Sequence, residues 1–242
     1  SSSRRGHGVI GKHRRYQREY RFWNPQYTTK NLIIMVQRLQ KYSILAGLFD
    51  YPDQKTNDLI RLTNDLLHAN NPAATTTFLQ FQQTILGMDL HSREEYFINT
   101  FEVEALISMD LGYILFGEDY KRGNFLAMMQ QEQISADNDL GSELADHLPN
   151  VMRLLPLMSE QEVAEELAYS IILPAIREIL KKFENTDNVY QYAFETVLKV
   201  METDFSGLPY ETYKVKPDVQ GCAGDEYACG ADFLHEIGKQ KF

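Results

Sequence analysis

The stretch Asp187–Phe205, DNVYQYAFETVLKVMETDF, decides the fold. Its apolar residues Tyr190, Phe194, Val197, Leu198 and Met201 recur at three- and four-residue steps. That spacing puts them on one face of a helix, because an α-helix turns once in about 3.6 residues. The same period returns upstream. From Thr29 to Phe49 the residues Leu32, Ile33, Val36, Leu39, Leu45 and Leu48 form another such face. Tyr51-Pro52 ends it, since a residue before proline is biased away from helical geometry.

Further segments repeat the pattern. Asp53 is placed to cap a second helix with Leu59, Leu62, Leu66 and Leu67 facing inward. Asn70-Asn71-Pro72 separates it from a third, marked by Phe78, Phe81, Ile85 and Leu86. Ser92 with Glu95 reads as a capping box before Tyr96, Phe97 and Phe101. Gly112 and Gly117 punctuate a connection, and Asp119 to about Asp137 supplies a helix carrying Phe125, Leu126 and Met129. Ser142 is expected to cap a helix holding Asp146 and His147, with Pro149 in its early turn. Ser159 with Glu162 opens a long helix through Phe183 that Pro174 should kink. No alternating run bounded by hairpin turns is present, so strands are not needed. The expected architecture is all-α: one helical domain over residues 29–205, a basic irregular arm over 1–28 and an irregular tail over 206–242 with a short helical turn near Phe233–Ile237.

Charge is unevenly spread. Residues 1–30 carry eight basic side chains against the single acid Glu19, so the rest of the chain holds −17 within a total of −10. An acidic body is poorly suited to wrapping nucleic acid and well suited to holding a basic peptide. Tyr16, Tyr20, Phe22 and Trp23 interleave with arginines in the arm, but the acidic body would oppose a nucleic-acid role. Ser3-Arg4-Arg5 superficially resembles a twin-arginine export signal, yet no apolar segment follows it, so export is not expected. No stretch approaches the roughly 18 apolar residues of a membrane span, which points to a soluble protein, and two cysteines without a disulfide framework suit a reducing, cytoplasmic setting.

Familiar catalytic patterns are missing. There is no Walker phosphate loop, Rossmann glycine fingerprint, zinc-binding His-Glu-x-x-His helix or Gly-x-Ser-x-Gly elbow. Glu94, Glu95, Glu102 and Glu104 fit a solvated acidic face better than a pair of acid–base carboxylates, because nothing nearby supplies a nucleophile. Cys222 and Cys229 with His235 could supply three soft metal ligands, but their spacing is wide and a fourth ligand is unassigned. Two free thiols, or a disulfide, remain the alternatives. The expectation is a binding protein with no catalytic residue, cofactor or metal.

Two segments taken together resemble a known family. One runs Glu95-Tyr-Phe-Ile-Asn-Thr-Phe101 and on through Leu111–Gly123 with Phe125-Leu126; the other is Leu144-Ala145-Asp146-His147-Leu148-Pro149. With Leu48-Phe49-Asp50-Tyr51-Pro52 before them, they resemble the nitrate reductase delta-subunit (NarJ/TorD-type) chaperones, assembly factors of molybdoenzymes, over roughly residues 30–205. The resemblance implies a single-domain helical bundle of that type and a non-catalytic role. Such a protein binds the N-terminal leader region of a molybdoenzyme catalytic subunit and holds it for molybdenum cofactor insertion. Molybdenum-cofactor biosynthesis proteins are further partners it implies, as a monomer or a helix-swapped dimer. The resemblance nominates Asp146, His147 and Pro149 as client-binding, then Tyr113, Phe116, Glu118 and Arg122. Where the family motif often has proline before Asp-His, this chain has Ala145, which bears on the rigidity of the loop.

The residues fit that role chemically. Asp146, Glu143 and Glu118 can offer charge-assisted hydrogen bonds to the guanidinium groups of an arginine-rich leader. Helix apolar surface would take the flanking side chains. His147 would add pH sensitivity, since imidazole is the side chain that titrates near neutrality. The arm's own arginines could lie across the same groove. The competing readings are a generic helical peptide-binding adaptor and a GTP-binding or GTP-hydrolysing protein, the latter without a phosphate loop to support it.

Overall fold

A computed structural model describes residues 29–103 and 105–214, with side chains from residue 38 onward. Helices α1 (Thr29–Ala46), α2 (Thr56–Asn70), α3 (Pro72–Gly87), α4 (Leu90–Phe101) and α5 (Leu111–Phe116) follow in order. After them come α6 (Tyr120–Ser135), α7 (Leu148–Leu154), α8 (Gln161–Leu167), α9 (Leu173–Lys182) and α10 (Tyr190–Asp204). Among the described residues no strand forms. The sole extended pairing seen there is an isolated antiparallel bridge between Asp110 and His147. The chain is all-α, as its periodicity indicates, and no described helix is long and apolar enough to cross a membrane.

The core is built around α10, which packs against α3 and α9. Tyr190, Phe194, Val197 and Met201 are buried, as the period requires. Phe194 meets Phe49, Phe101 and Phe183, so one aromatic ring ties α10 to α4, to the turn Gly47–Phe49 and to the residue that follows α9. Truncating such a side chain to alanine typically costs about 3–5 kcal/mol, since the lost transfer energy is compounded by a cavity. Helix α1 lies on α7 and the 3-10 turn Leu155–Leu157 that follows it. The far end of α1 is tied down by Asp204, whose carboxylate accepts from Lys41 at 2.9 Å and from the Tyr42 hydroxyl at 2.6 Å. Burial, then the Asp204 charge, pushes the Tyr42 phenol far up, so it stays a neutral donor.

Several caps differ from expectation, for local reasons. Asp89, not the Ser92–Glu95 box, caps α4: its carboxylate accepts the Ser92 N–H at 2.8 Å. Asp53 folds the turn ahead of α2 by accepting the Lys55 N–H at 2.7 Å, while Lys55 occupies the cap position itself. Ser159 and Glu162 form no box, because Glu160 precedes α8 without a side-chain cap. The inward stripe of α2 is Ile60, Thr63 and Leu67, and Leu62 faces solvent. Gly112 lies inside a short helix rather than a loop, and Gly117, at φ 59°, closes that helix. Asn71 does two jobs between α2 and α3: its Oδ1 accepts the Ala74 N–H at 3.1 Å, and its Nδ2 donates to Thr203 on α10.

Pro174 acts through a π-type turn. The helical run from α8 to α9 continues through Ala168–Ile172, where the backbone widens into a π-helix. In a regular α-helix the Ser170 carbonyl would accept from residue 174, but proline has no N–H. The Tyr213 N–H donates to it instead, at 2.9 Å. The segment 206–214 is irregular, as expected, yet it is docked through that bond. The arm 1–28, the inward role of Leu32, Ile33 and Val36, Glu104, Cys222, Cys229, His235 and the turn near Phe233–Ile237 lie outside the described residues.

Candidate functional site

Residues 109–116 and 144–149, far apart in sequence, form one unit. The Leu111 N–H donates to the Asp146 carbonyl at 3.0 Å, and the Leu148 N–H donates to the Met109 carbonyl at 2.9 Å. Side chains repeat the pairing. Asp146 Oδ2 accepts the Gly112 N–H at 2.9 Å, and His147 Nδ1 lies 3.1 Å from Asp110 Oδ1. Glu143 adds a second carboxylate 3.9 Å from the same His147 nitrogen.

Gly112 is required by this closeness. A Cβ there would stand 2.7 Å from Asp146 Oδ2, 3.2 Å from Phe125 and 3.3 Å from the Arg122 stem. Asp146 is 1% exposed, and its second oxygen, Oδ1, has no hydrogen-bond partner among the described residues. Burial raises the pKa of this carboxyl, the Gly112 N–H pulls it back, and the neighbouring charge of Asp110 raises it again. The expected helix containing Asp146 and His147 is not formed. Helix α7 begins at Leu148, His147 sits at its cap position with its ring turned to Asp110 rather than capping the helix, and Ser142 Oγ donates to Glu143 instead of capping. Pro149 occupies the first turn of α7, where its missing N–H costs nothing, and it is buried.

The nominated residues fall into two groups. Asp146 and Pro149 are buried, His147 is partly buried, and Phe116 is partly buried between Phe125 and Tyr213, with ring centroids at 5.5 and 5.0 Å. Tyr113, Glu118, Arg122 and Glu143 reach the surface. Arg122 lies over the Tyr113 ring at 5.2 Å and 3.9 Å from Glu118. Glu143 and Glu118 therefore mark opposite ends of α5, a helix about 9 Å long at 1.5 Å per residue. Exposed apolar side chains accompany them: Leu144, Tyr113 and Tyr120.

Four contributors escape motif reading. Asp110 positions His147, and its only sequence signal is an acid one residue before Leu111-Gly112. Gln133, Asn138 and Asn150 form an amide network around the loop. Gln133 Nε2 donates to the Ala145 carbonyl at 2.9 Å, Asn138 Nδ2 to Gln133 Oε1 at 2.7 Å, and Asn150 Nδ2 to Leu140 and Leu144 carbonyls. These bonds hold the backbone around Ala145, because satisfied amides rigidify the chain they bond. Among the described residues no cluster of three or more His, Cys, Asp or Glu side chains could hold a metal ion.

No protein-family model matches the chain, and comparison with curated proteins finds no match.

Proposed function

We propose that this protein is an assembly chaperone that binds the arginine-rich N-terminal region of a molybdoenzyme catalytic subunit of the nitrate reductase type and holds it for molybdenum cofactor insertion. The observation that carries the reading is the coupling of the two resemblance-bearing segments through the Asp110–His147 and Gly112–Asp146 contacts. These contacts join the two segments into one unit, which supports reading them together. Around it stand two exposed carboxylates, Glu143 and Glu118, with Leu144, Tyr113 and Tyr120 between and beside them. An extended peptide covers the length of α5 in about three residues at 3.3 Å each. Basic side chains of one leader can then meet both carboxylates while its apolar residues lie on the exposed rings.

In this reading the roles divide. Glu143 and Glu118 recognise charge, and Tyr113 and Arg122 shape the surface. His147 orients the loop through Asp110, and Asp146 with Pro149 holds the loop's backbone. The chaperone performs no chemistry itself and works in the cytoplasm. Titrating the full chain with a leader peptide by calorimetry tests the site. The paired substitution Glu118→Gln and Glu143→Gln should weaken binding at least tenfold, with added salt weakening the unsubstituted protein similarly. Equal affinity for both proteins would remove the site assignment.

A further inference from the structure

We infer that the cleft between α1, the start of α2 and α4 is a binding site for a small organic oxyanion, a carboxylate or phosphate carried on an apolar body, with Arg93 as its anchor. The inference stands apart from the client-binding reading and involves none of its residues. The cleft has a volume of about 320 Å³, within the range of small-molecule sites. Its floor is apolar, made by Leu59, Ile60, Phe81, Ile85 and Tyr190.

Arg93 is the unusual group. It lines the cleft, is only 6% exposed, and no carboxylate lies within 4 Å of it among the described residues. Its Nε donates to the Ile85 carbonyl at 2.8 Å and its Nη1 to Asn57 Oδ1 at 2.8 Å. Neither acceptor carries a formal charge, although the C-terminal end of α3 offsets part of the cation through its dipole. Two of five N–H groups are thus used, and no other hydrogen bond from Arg93 is seen among the described residues. Asp89 feels the charge of Arg93 but spends its carboxylate on the Ser92 N–H. A buried guanidinium without an anion is costly, and its planar fork matches a carboxylate or phosphate.

The rim charges balance one another. Lys55 and Arg153 also line the cleft, against Asp50 and Asp53. Asp50 is paired with Arg153, and Asp53 accepts the Lys55 backbone N–H, so both acids are engaged within the fold. The formal balance of the lining is thus that of Arg93, a positive spot in a chain whose net charge is −10. Thr56 and Ser43 add hydroxyl groups at the mouth.

The test uses three probes of similar shape, phenyl phosphate, benzoate and benzyl alcohol, titrated into the full chain and followed by amide NMR shifts. The two anions are expected to bind at millimolar concentration or tighter, to shift the amides of residues 47–60 and 93, and to weaken with salt. Benzyl alcohol should bind at least tenfold more weakly. The ratio between the two anions decides whether phosphate or carboxylate is the preferred chemistry. Arg93→Gln keeps a donor for the Ile85 carbonyl and loses the charge, so it should lose tenfold or more in anion affinity. Lys55→Gln replaces a side chain that makes no cap bond at the start of α2 and should lose a few-fold, which keeps the proposal testable if Arg93→Gln does not fold. Benzyl alcohol binding as tightly as the anions, or no shifts at the cleft with any probe, would overturn the assignment.

Discussion

At the residue scale the account turns on Gly112 and Asp146. Adding a methyl group at Gly112 forces it against Asp146 Oδ2 and Phe125, both buried. Gly112→Ala should destabilise the protein by about 1–3 kcal/mol, the usual range for overpacking. Chemical denaturation with an unchanged midpoint would contradict that packing. Asp146 and Asp89 make an opposed pair for titration. Burial raises the first, and the Ser92 N–H lowers the second. Between the ordinary aspartate value of about 3.9 and its raised one, folded Asp146 holds a proton that the unfolded chain has released. Its contribution to stability therefore rises as pH falls through that window. Asp89 runs the other way: its contribution is present above the ordinary value and is lost as pH falls through the lowered one. Carboxyl carbon NMR should find Asp146 titrating above Asp89, and the reverse order would refute the burial argument.

At the scale of elements, the long helices were legible and their edges were not. The apolar period located α3, α6 and α10 well because each buries one continuous stripe. The short α5 was hidden, since six residues give too few turns to show a period and Gly112 reads as a breaker. Caps failed where two candidates compete: Asp89 and Ser92 stand three residues apart, and only the backbone path decides which carboxylate or hydroxyl meets the free N–H groups. The candidate loop was legible as Asp146-His147, while its supports, Asp110 and Gln133, come from elements distant in sequence. Pro174 was readable as an interruption, but not the consequence that Tyr213 fills the Ser170 carbonyl. Pro174→Ala restores an intrahelical donor and sets it against Tyr213. The Tyr213 amide should then exchange with solvent at least several-fold faster; unchanged protection would show that the segment is held by its ring contacts alone.

For the whole molecule, charge asymmetry is the property that packing does not explain. The basic arm over residues 1–28 and the acidic remainder are encoded in composition, and an acidic helical body is suited to a basic peptide whether it comes from a partner or from the same chain. If the arm competes for the site, deleting residues 1–28 should tighten leader-peptide binding; an unchanged affinity removes the competition without touching the site itself. Helical packing and the coupled loop define the surface, and the resemblance of its two segments to molybdoenzyme chaperones supplies the proposed client. Affinity purification of the full chain from its native cells, with the captured proteins identified by mass spectrometry, tests that proposal most directly. The account predicts a molybdoenzyme catalytic subunit, captured with its N-terminal region intact and in a form deficient in molybdenum cofactor. Capture that never includes such a subunit, in cells shown to be producing one, would contradict it.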